Sequence, residues 1–382
     1  MKRKKALVLT YHVKRCMRRG GFHEFISYLK DMSFDIDWVT CTMNSSWIVN
    51  RNDRENFRNF YELWKGLEFV EDNSHIRHFA IPVMLPARIA KHINKKLYNQ
   101  YWPKWKWLRK KLADNYDVIL VEGVACQYAE ELKKNYPRTQ IIYRPSDVLE
   151  SFSNAKDPKK IEKKMIELAD ITYCVDENQI QYYLDFAEKK EKLRILRNPI
   201  TTQADLDYIK TYVPSLEEKK SVIYVGVSNI DLEYIEYAAE NNPDAEFLVI
   251  GPFENKSHNN IYYLGAMMPE RFQNYLQRAS VGINPMSEKV KDMTLPGYTK
   301  KIVNYMKYLM PIVATYSDNY LDVAGYLIAK DKEEFSELVS KALNYSIEER
   351  MALKKGYEKV LSFFLDTNVK EQLRKAIEEK VY

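Results

Sequence analysis

The sequence predicts an α/β protein of two similar halves, each a parallel sheet covered by helices on both faces. Three observations lead there. Short apolar runs alternate with helix-period segments along nearly the whole chain. The alternation stops once, in the polar stretch NPITTQADLDYIKTYVPSLEEKK (198–220), which holds two prolines and a charge run. It then restarts and runs through a second series of similar size. Strands that alternate with helices favour a parallel sheet, because a parallel neighbour needs a crossover of helical length. A chain of 382 residues with 46% hydrophobic and 29% charged residues can fill two such cores. The halves are therefore read as two Rossmann-like domains.

In the first half, Ala6–Thr10 is a strand and FHEFISYLKDM a helix. IDWVTC and DVILVEG are strands, YAEELKKN a helix and QIIYR a strand. KIEKKMIELAD, ITYCV, ENQIQYYLDFAEKK and LRILRN follow as helix, strand, helix and strand. The second half opens on SVIYVGVS, a strand ending in Gly226. LEYIEYAAENNP is a helix, AEFLVIGP and NIYYLGAM are strands, PERFQNYLQRA is a helix and SVGINPM a strand. The helix KKIVNYMKYLM leads to the strands PIVATY and YLIA, and a helical tail starts near Asp331. The expected organisation is an N-terminal domain over 1–203, a C-terminal domain over 204–365, and a helix over 366–382 that packs back on the first domain.

Several function classes drop out. The four cysteines (Cys16, Cys41, Cys126, Cys174) lie far apart without a CxxC pair, as in a reduced cytoplasmic protein. The six histidines form no HExxH, so no zinc site is expected. No GxGxxG or Walker A loop appears. The start, MKRKKALVLTYH, is too short for a signal sequence, and no run approaches the ~18 apolar residues that span a bilayer. Asp35-Ile36-Asp37 and Asp205-Leu206-Asp207 match a metal-binding DxD by letters only. The first is read as preceding its strand and the second as linker, so no metal and no cofactor are expected.

In doubly wound sheets ligands bind beyond the carboxyl ends of the strands. Residues 141–152, IIYRPSDVLESF, end a strand on Arg144-Pro145-Ser146-Asp147. Pro145 biases Arg144 toward an extended conformation, which carries the strand straight to the turn. Asp147 is then a general base at the strand end or the N-cap of the helix that VLESF begins. Arg144 would hold that carboxylate ionised, bind an acceptor, or form a surface ion pair. Glu122, after DVILV, is a second strand-end carboxylate. In the second half Lys301, with Lys300 beside it, opens a helix whose N-terminus favours anions, and Asn304 lies one turn on. Gly226 and Gly251 would let a nucleotide approach the backbone, or are plain strand-end glycines.

Here the chain resembles a known family. The order of strand-Gly, FLVIGP, IYYLG, PERFQNYLQRA, VGINP, KIVNY and PIVA looks like the nucleotide-sugar domain of GT-B glycosyltransferases. IELADITYCVDENQ and LRILRNP look like that fold's approach to its interdomain linker. Within the fold, the chain resembles the bacterial glucuronosyltransferases of xanthan-type exopolysaccharide synthesis. Their Tyr-Arg-x-Ser-Asp stretch is here Tyr143-Arg144-Pro145-Ser146-Asp147, with the aspartate as the proposed base. Their Lys-x-x-Gln-Tyr stretch, which holds the nucleotide diphosphate and ribose, is here Lys301-Ile302-Val303-Asn304-Tyr305. The departures lie on the donor side. Asn304 replaces the glutamine, Gly265-Ala266-Met267-Met268-Pro269 lacks an expected glutamate, Met286 stands for a tyrosine, and Leu309-Met310 replaces a glycine.

The resemblance implies a GT-B fold whose two domains face a central cleft. It also implies transfer of a sugar from a nucleotide diphosphate, a UDP-sugar, to a lipid-linked oligosaccharide. Donor contacts would come from Lys301, Asn304, Lys300, Tyr305, Gly226, Gly251 and Met286. Acceptor contacts would come from Arg144, Glu122 and the basic run Lys14, Arg15, Arg18 and Arg19, which could meet a polyprenyl diphosphate. From Asn73 to Ala113 the chain carries no acidic residue, and lysines interleave with aromatics near its end. Trp102, Trp105, Trp107, Lys104 and Lys106 suit the headgroup layer of an anionic membrane. They would also suit a helical hairpin packed on the sheet, or nucleic acid. With a polyprenyl acceptor the expectation is a cytoplasmic protein attached peripherally to the inner face of the cell membrane, without nucleic acid. The alternatives are a nucleotide-sugar 2-epimerase on the same fold and a non-catalytic partner in polysaccharide assembly.

Overall fold

Among the residues that the computed structural model describes, fourteen strands form two sheets. The described residues are 3–12, 21–44, 69–70, 75–83, 105–152, 157–215, 220–226, 230–254, 258–267, 269–287, 299–315 and 323–378. The first sheet comprises β1 (Lys4–Thr10), β2 (Phe34–Asn44), β3 (Phe69–Val70), β4 (Ile76–Val83), β5 (Val118–Val121), β6 (Gln140–Tyr143), β7 (Ile171–Cys174) and β8 (Leu193–Ile195). The second comprises β9 (Ser221–Val225), β10 (Glu246–Ile250), β11 (Ile261–Gly265), β12 (Val281–Asn284), β13 (Ile312–Thr315) and β14 (Tyr326–Ala329). Contacts divide the chain into two units, 1–198 with 369–382 and 199–368.

The first sheet runs β3-β4-β2-β1-β5-β6-β7-β8, parallel except for β3 against β4. The second runs β11-β10-β9-β12-β13-β14, parallel throughout. Both are doubly wound α/β sheets, as the alternation predicts. Their order reverses between β1 and β5 in the first unit and between β9 and β12 in the second. Crevices for ligands open at such reversals.

Side chains alternate across the central strands. Ala6 and Val8 of β1 face one core with Val118, Leu120 and Ile142. Leu7 and Leu9 face the other with Ile119, Val121 and Ile141. Burial on both faces explains why these strands read as unbroken apolar runs. The helix Asp366–Glu378 supplies Val369, Leu373 and Ala376 to the first unit's core. Gln140 Nε2 donates to the Ala376 carbonyl at 2.8 Å, and Lys370 meets Asp31 at 2.6 Å.

Three features differ from the sequence reading. The strand β4, IRHFAIPV, pairs with β2 although Arg77 and His78 lie within it. Arg77 is bound to Asp37 at 2.6 Å, and His78 Nε2 lies 2.8 Å from Thr40 Oγ1, so β2 supplies polar partners for both. Asp35 and Asp37 stand on β2 rather than before it. The polar stretch after Asn198 also contains a helix, Gln203–Thr211, started by a capping box between Thr202 and Asp205.

Candidate functional site

In the first unit three strand ends at the sheet's reversal carry polar side chains. His12 follows β1, Glu122 follows β5, and the turn Arg144–Asp147 follows β6. Glu122 is buried. Its Oε2 accepts from the Thr10 hydroxyl and from the Tyr11 amide at 3.2 Å. Its Oε1 accepts from the Ser146 hydroxyl at 2.5 Å and lies 3.4 Å from His12 Nε2. Burial pushes the Glu122 carboxyl up, but the His12 charge and the hydrogen bonds of His12, Ser146 and Thr10 outweigh it and lower it on balance.

Asp147 behaves differently. Burial raises its carboxyl above the ordinary range, and the neighbouring Glu122 charge adds to this, against Arg144 and His12. Its short following helix, Leu149–Phe152, takes its cap from elsewhere: the Leu149 amide donates to Glu162 at 3.2 and 3.3 Å. Among the described residues no hydrogen bond holds the Asp147 carboxylate. The N-cap reading of Asp147 is therefore replaced by a half-buried, proton-hungry carboxylate at a strand end.

Arg144 is fully buried, which corrects its placement as a surface ion pair. Its Nη2 donates to Asn198 Oδ1 at 2.8 Å and to the Leu196 carbonyl at 3.1 Å, and its guanidinium lies over Phe25. Burial pulls it down to about 10. Gly21 fits beside Asn198 because a Cβ there would run into Asn198 Oδ1. Arg144 thus ties the end of β6 to the segment after β8, and its contacts lie within the fold.

The second unit gathers Tyr224 on β9, Asn284 ending β12, and Lys301 in the helix Lys300–Lys307. Lys301 Nζ donates to Asn284 Oδ1 at 2.8 Å and sits 4.6 Å from the Tyr224 ring centroid. Burial pulls Lys301 down to about 8. Among the described residues no carboxylate accompanies this ammonium. Among the described residues Thr299, the N-cap, makes no side-chain cap to the helix's first amides. Lys300 is exposed and Asn304 half-buried on the same helix.

Other donor-side expectations take a structural form. Tyr305 is fully buried: the Val225 amide donates to its hydroxyl at 3.0 Å, and the hydroxyl donates to the Ile283 carbonyl at 3.3 Å. It ties β9 to β12 beneath the reversal rather than facing a ligand. The amides of Gly226 and Gly251 extend the sheet ladder, to Ile250 and Gly265 at 3.0 Å each. Met286 exchanges hydrogen bonds with the Thr315 hydroxyl.

Trp105, one of the expected membrane residues, is partly buried with its ring packed on Tyr128 and Tyr136, at 5.6 and 6.5 Å between centroids. Lys14, Arg15, Arg18, Arg19, Trp102 and Lys104 lie outside the described residues, as do the side chains of Lys106 and Trp107. Both DxD pairs are engaged. Asp35 binds Arg3 and His75, Asp37 binds Arg77 and Tyr116, and Asp205 pairs with Lys307. Among the described residues no group of three or more His, Cys, Asp or Glu could hold a metal ion, and no helix is long and apolar enough to cross a membrane. His12 and Asn284 were not singled out from sequence, although each stands where Glu122 and Asp147 stand, at a strand's carboxyl end.

Residues 8–175 match the family model of the glucuronosyltransferase GumK N-terminal domain. No curated protein matches the sequence significantly. A Burkholderia xenovorans UDP-forming α,α-trehalose-phosphate synthase superposes with TM-score 0.66 at 11% identity, over 99% of this chain and 100% of that one. The N-terminal domain of a Candida albicans trehalose-6-phosphate phosphatase gives 0.70 at 10%, over 99% and 97%. An E. coli trehalose-6-phosphate structure bound with UDP-2-fluoro glucose gives 0.66 at 13%, over 99% and 100%. The fold is that of a GT-B glycosyltransferase. The N-terminal part of the chain, which carries Glu122, Arg144 and Asp147, resembles the glucuronosyltransferase family.

Proposed function

We propose that this chain transfers a hexosyl or glucuronosyl group from a UDP-sugar to a hydroxyl of a polyprenyl-diphosphate-linked oligosaccharide, with inversion and without a metal. Such a reaction serves extracellular or capsular polysaccharide synthesis, at the inner face of the cell membrane. The observation that carries the reading is Asp147: a strand-end carboxylate with a raised proton affinity, inside the segment that matches the glucuronosyltransferase model.

In this mechanism Asp147 takes the proton of the acceptor hydroxyl as its oxygen bonds to the anomeric carbon. The bond from that carbon to the diphosphate oxygen breaks, and UDP leaves with the electron pair. Lys301 and the amides at its helix N-terminus meet the growing negative charge. An unpaired, partly desolvated ammonium suits this role, because a phosphate restores the charge balance that burial removed.

Thermal shift with UDP, GDP and their sugars tests the donor. Transfer assays with UDP-glucose and UDP-glucuronate on a polyprenyl-diphosphate oligosaccharide test the reaction. Stabilisation by UDP with label reaching the lipid supports the proposal. Response to no nucleotide contradicts it.

A further inference from the structure

Glu122 is used by none of the steps above, yet it is the most heavily bonded carboxylate at the first unit's sheet reversal. It is 1% exposed, and its two oxygens serve Thr10, the Tyr11 amide, Ser146 and His12. These partners come from the ends of β1 and β6, the strands on either side of β5. A carboxylate so enclosed spends its hydrogen-bonding capacity on the strand ends around it. Its connection to the chemistry runs through Ser146, whose hydroxyl it holds at 2.5 Å and whose next residue is Asp147.

We infer that Glu122, ion-paired with His12, is the positioning residue of the base: it fixes the Ser146–Asp147 turn and keeps a permanent negative charge beside Asp147. The inference rests on the assignment of Asp147 as base.

Two features support it. Burying a carboxylate is costly unless it is hydrogen-bonded, and this one accepts from Thr10, Tyr11 and Ser146 with His12 Nε2 3.4 Å away. A merely structural tie between β1, β5 and β6 could use neutral groups. The charged groups around Asp147 are Glu122 after β5, Arg144 after β6, His12 after β1 and Asp176 after β7. Burial raises Asp147 first and Glu122 second; Arg144 and His12 oppose them, and Asp176 adds to the rise. Arg144 donates to Leu196, Asn198 and, at 3.3 Å, to the Ser146 hydroxyl, but makes no hydrogen bond to the Asp147 carboxylate among the described residues, so its charge opposes the rise without cancelling it. The arrangement strengthens the base, and a stronger base takes a hydroxyl proton more readily.

Glu122→Gln removes the charge and keeps one acceptor oxygen for one of the two hydroxyls, Thr10 or Ser146, while its amide nitrogen faces the other. The test is the pH profile of kcat/KM for the full chain, with UDP-glucuronate and a polyprenyl-diphosphate oligosaccharide as probes. The acid limb is expected to move to lower pH, with plateau kcat down roughly tenfold and UDP affinity unchanged. Ser146→Ala keeps the charge; its acid limb stays in place while kcat falls. An acid limb that stays put in Glu122→Gln overturns the inference. So does a rise in acceptor KM alone, which would make Glu122 an acceptor contact. If Glu122→Gln fails to fold, His12→Gln serves instead. It removes the partner that lies 3.4 Å from Glu122 Oε1 and loosens the Ser146–Asp147 turn, so kcat should fall with UDP affinity unchanged, and an unchanged kcat is again fatal. Full turnover by Asp147→Asn is a separate failure, because it removes the base assignment itself.

Discussion

Lys301 Nζ donates to Asn284 Oδ1 at 2.8 Å, and the ammonium has no carboxylate partner among the described residues. The proposed reaction puts the UDP diphosphate beside this cation, because it stands at the β9/β12 reversal next to a helix start without a side-chain cap.

Removing the charge should therefore separate binding from stability. Lys301→Met is expected to weaken UDP binding at least about tenfold, the scale of one charge-assisted contact, and to raise Tm, because the buried charge costs folding energy. Asn284→Asp gives Lys301 a counter-ion and repels the diphosphate, so UDP affinity should again fall while the fold holds. Calorimetric titration and thermal unfolding check both. Since burial lowers Lys301 to about 8, it is charged below that pH. UDP affinity should decline as pH rises through about 8, and an affinity flat from about pH 7 to about pH 9 contradicts the assignment.

Glu162 gives a stability prediction with a definite sign. It accepts from Tyr143 at 2.7 Å, Tyr183 at 2.5 Å and the Leu149 amide, all inside the first unit. Burial pushes its carboxyl up to about 7 from 4.5, against those hydrogen bonds. The folded chain therefore binds this proton more tightly than the unfolded chain does. The contribution is full below pH 4.5 and is lost as pH rises through about 7. Its size is on the order of 3 kcal/mol. Urea unfolding at the two ends of that window should show the loss, and Glu162→Gln should remove it. A slope that persists in the variant assigns it to other groups.

Arg350 compensates the missing glycine before β13. Leu309 occupies the left-handed region at φ 49°, where a side chain is strained. Arg350 is buried, and its Nε and Nη2 donate to the Leu309 and Tyr308 carbonyls at 3.2 Å each. Tyr357 holds the Met310 carbonyl at 2.9 Å. Arg350→Met should destabilise the second unit by about 2–4 kcal/mol, read by denaturant unfolding or hydrogen exchange. A change below about 0.5 kcal/mol would show that the turn holds itself.

Much of this was legible because burial on both faces of a parallel sheet leaves an unbroken apolar run. VILV and QIIY announced β5 and β6, and the polar turns that follow them drew attention to Glu122 and Asp147. What stayed hidden depended on partners far apart in sequence. β4 looks polar until Asp37 and Thr40 of β2 are set against Arg77 and His78. Arg144 looks like a surface charge until Leu196 and Asn198 are placed on it. Tyr305 sits in a motif that suggests a ligand contact, but its hydroxyl is spent between β9 and β12. Trp105 lies in a basic aromatic run, but Tyr128 and Tyr136 take its ring. Composition gives the residues of such a run and not the direction of each ring.

The central claim is that Asp147 removes the acceptor proton. The most direct measurement compares Asp147→Asn with the unaltered chain for transfer to a polyprenyl-diphosphate oligosaccharide and for UDP binding. The account predicts a fall in kcat of about a hundredfold or more, with UDP affinity and Tm essentially unchanged. Turnover at the original rate in a folded, UDP-binding variant would contradict it.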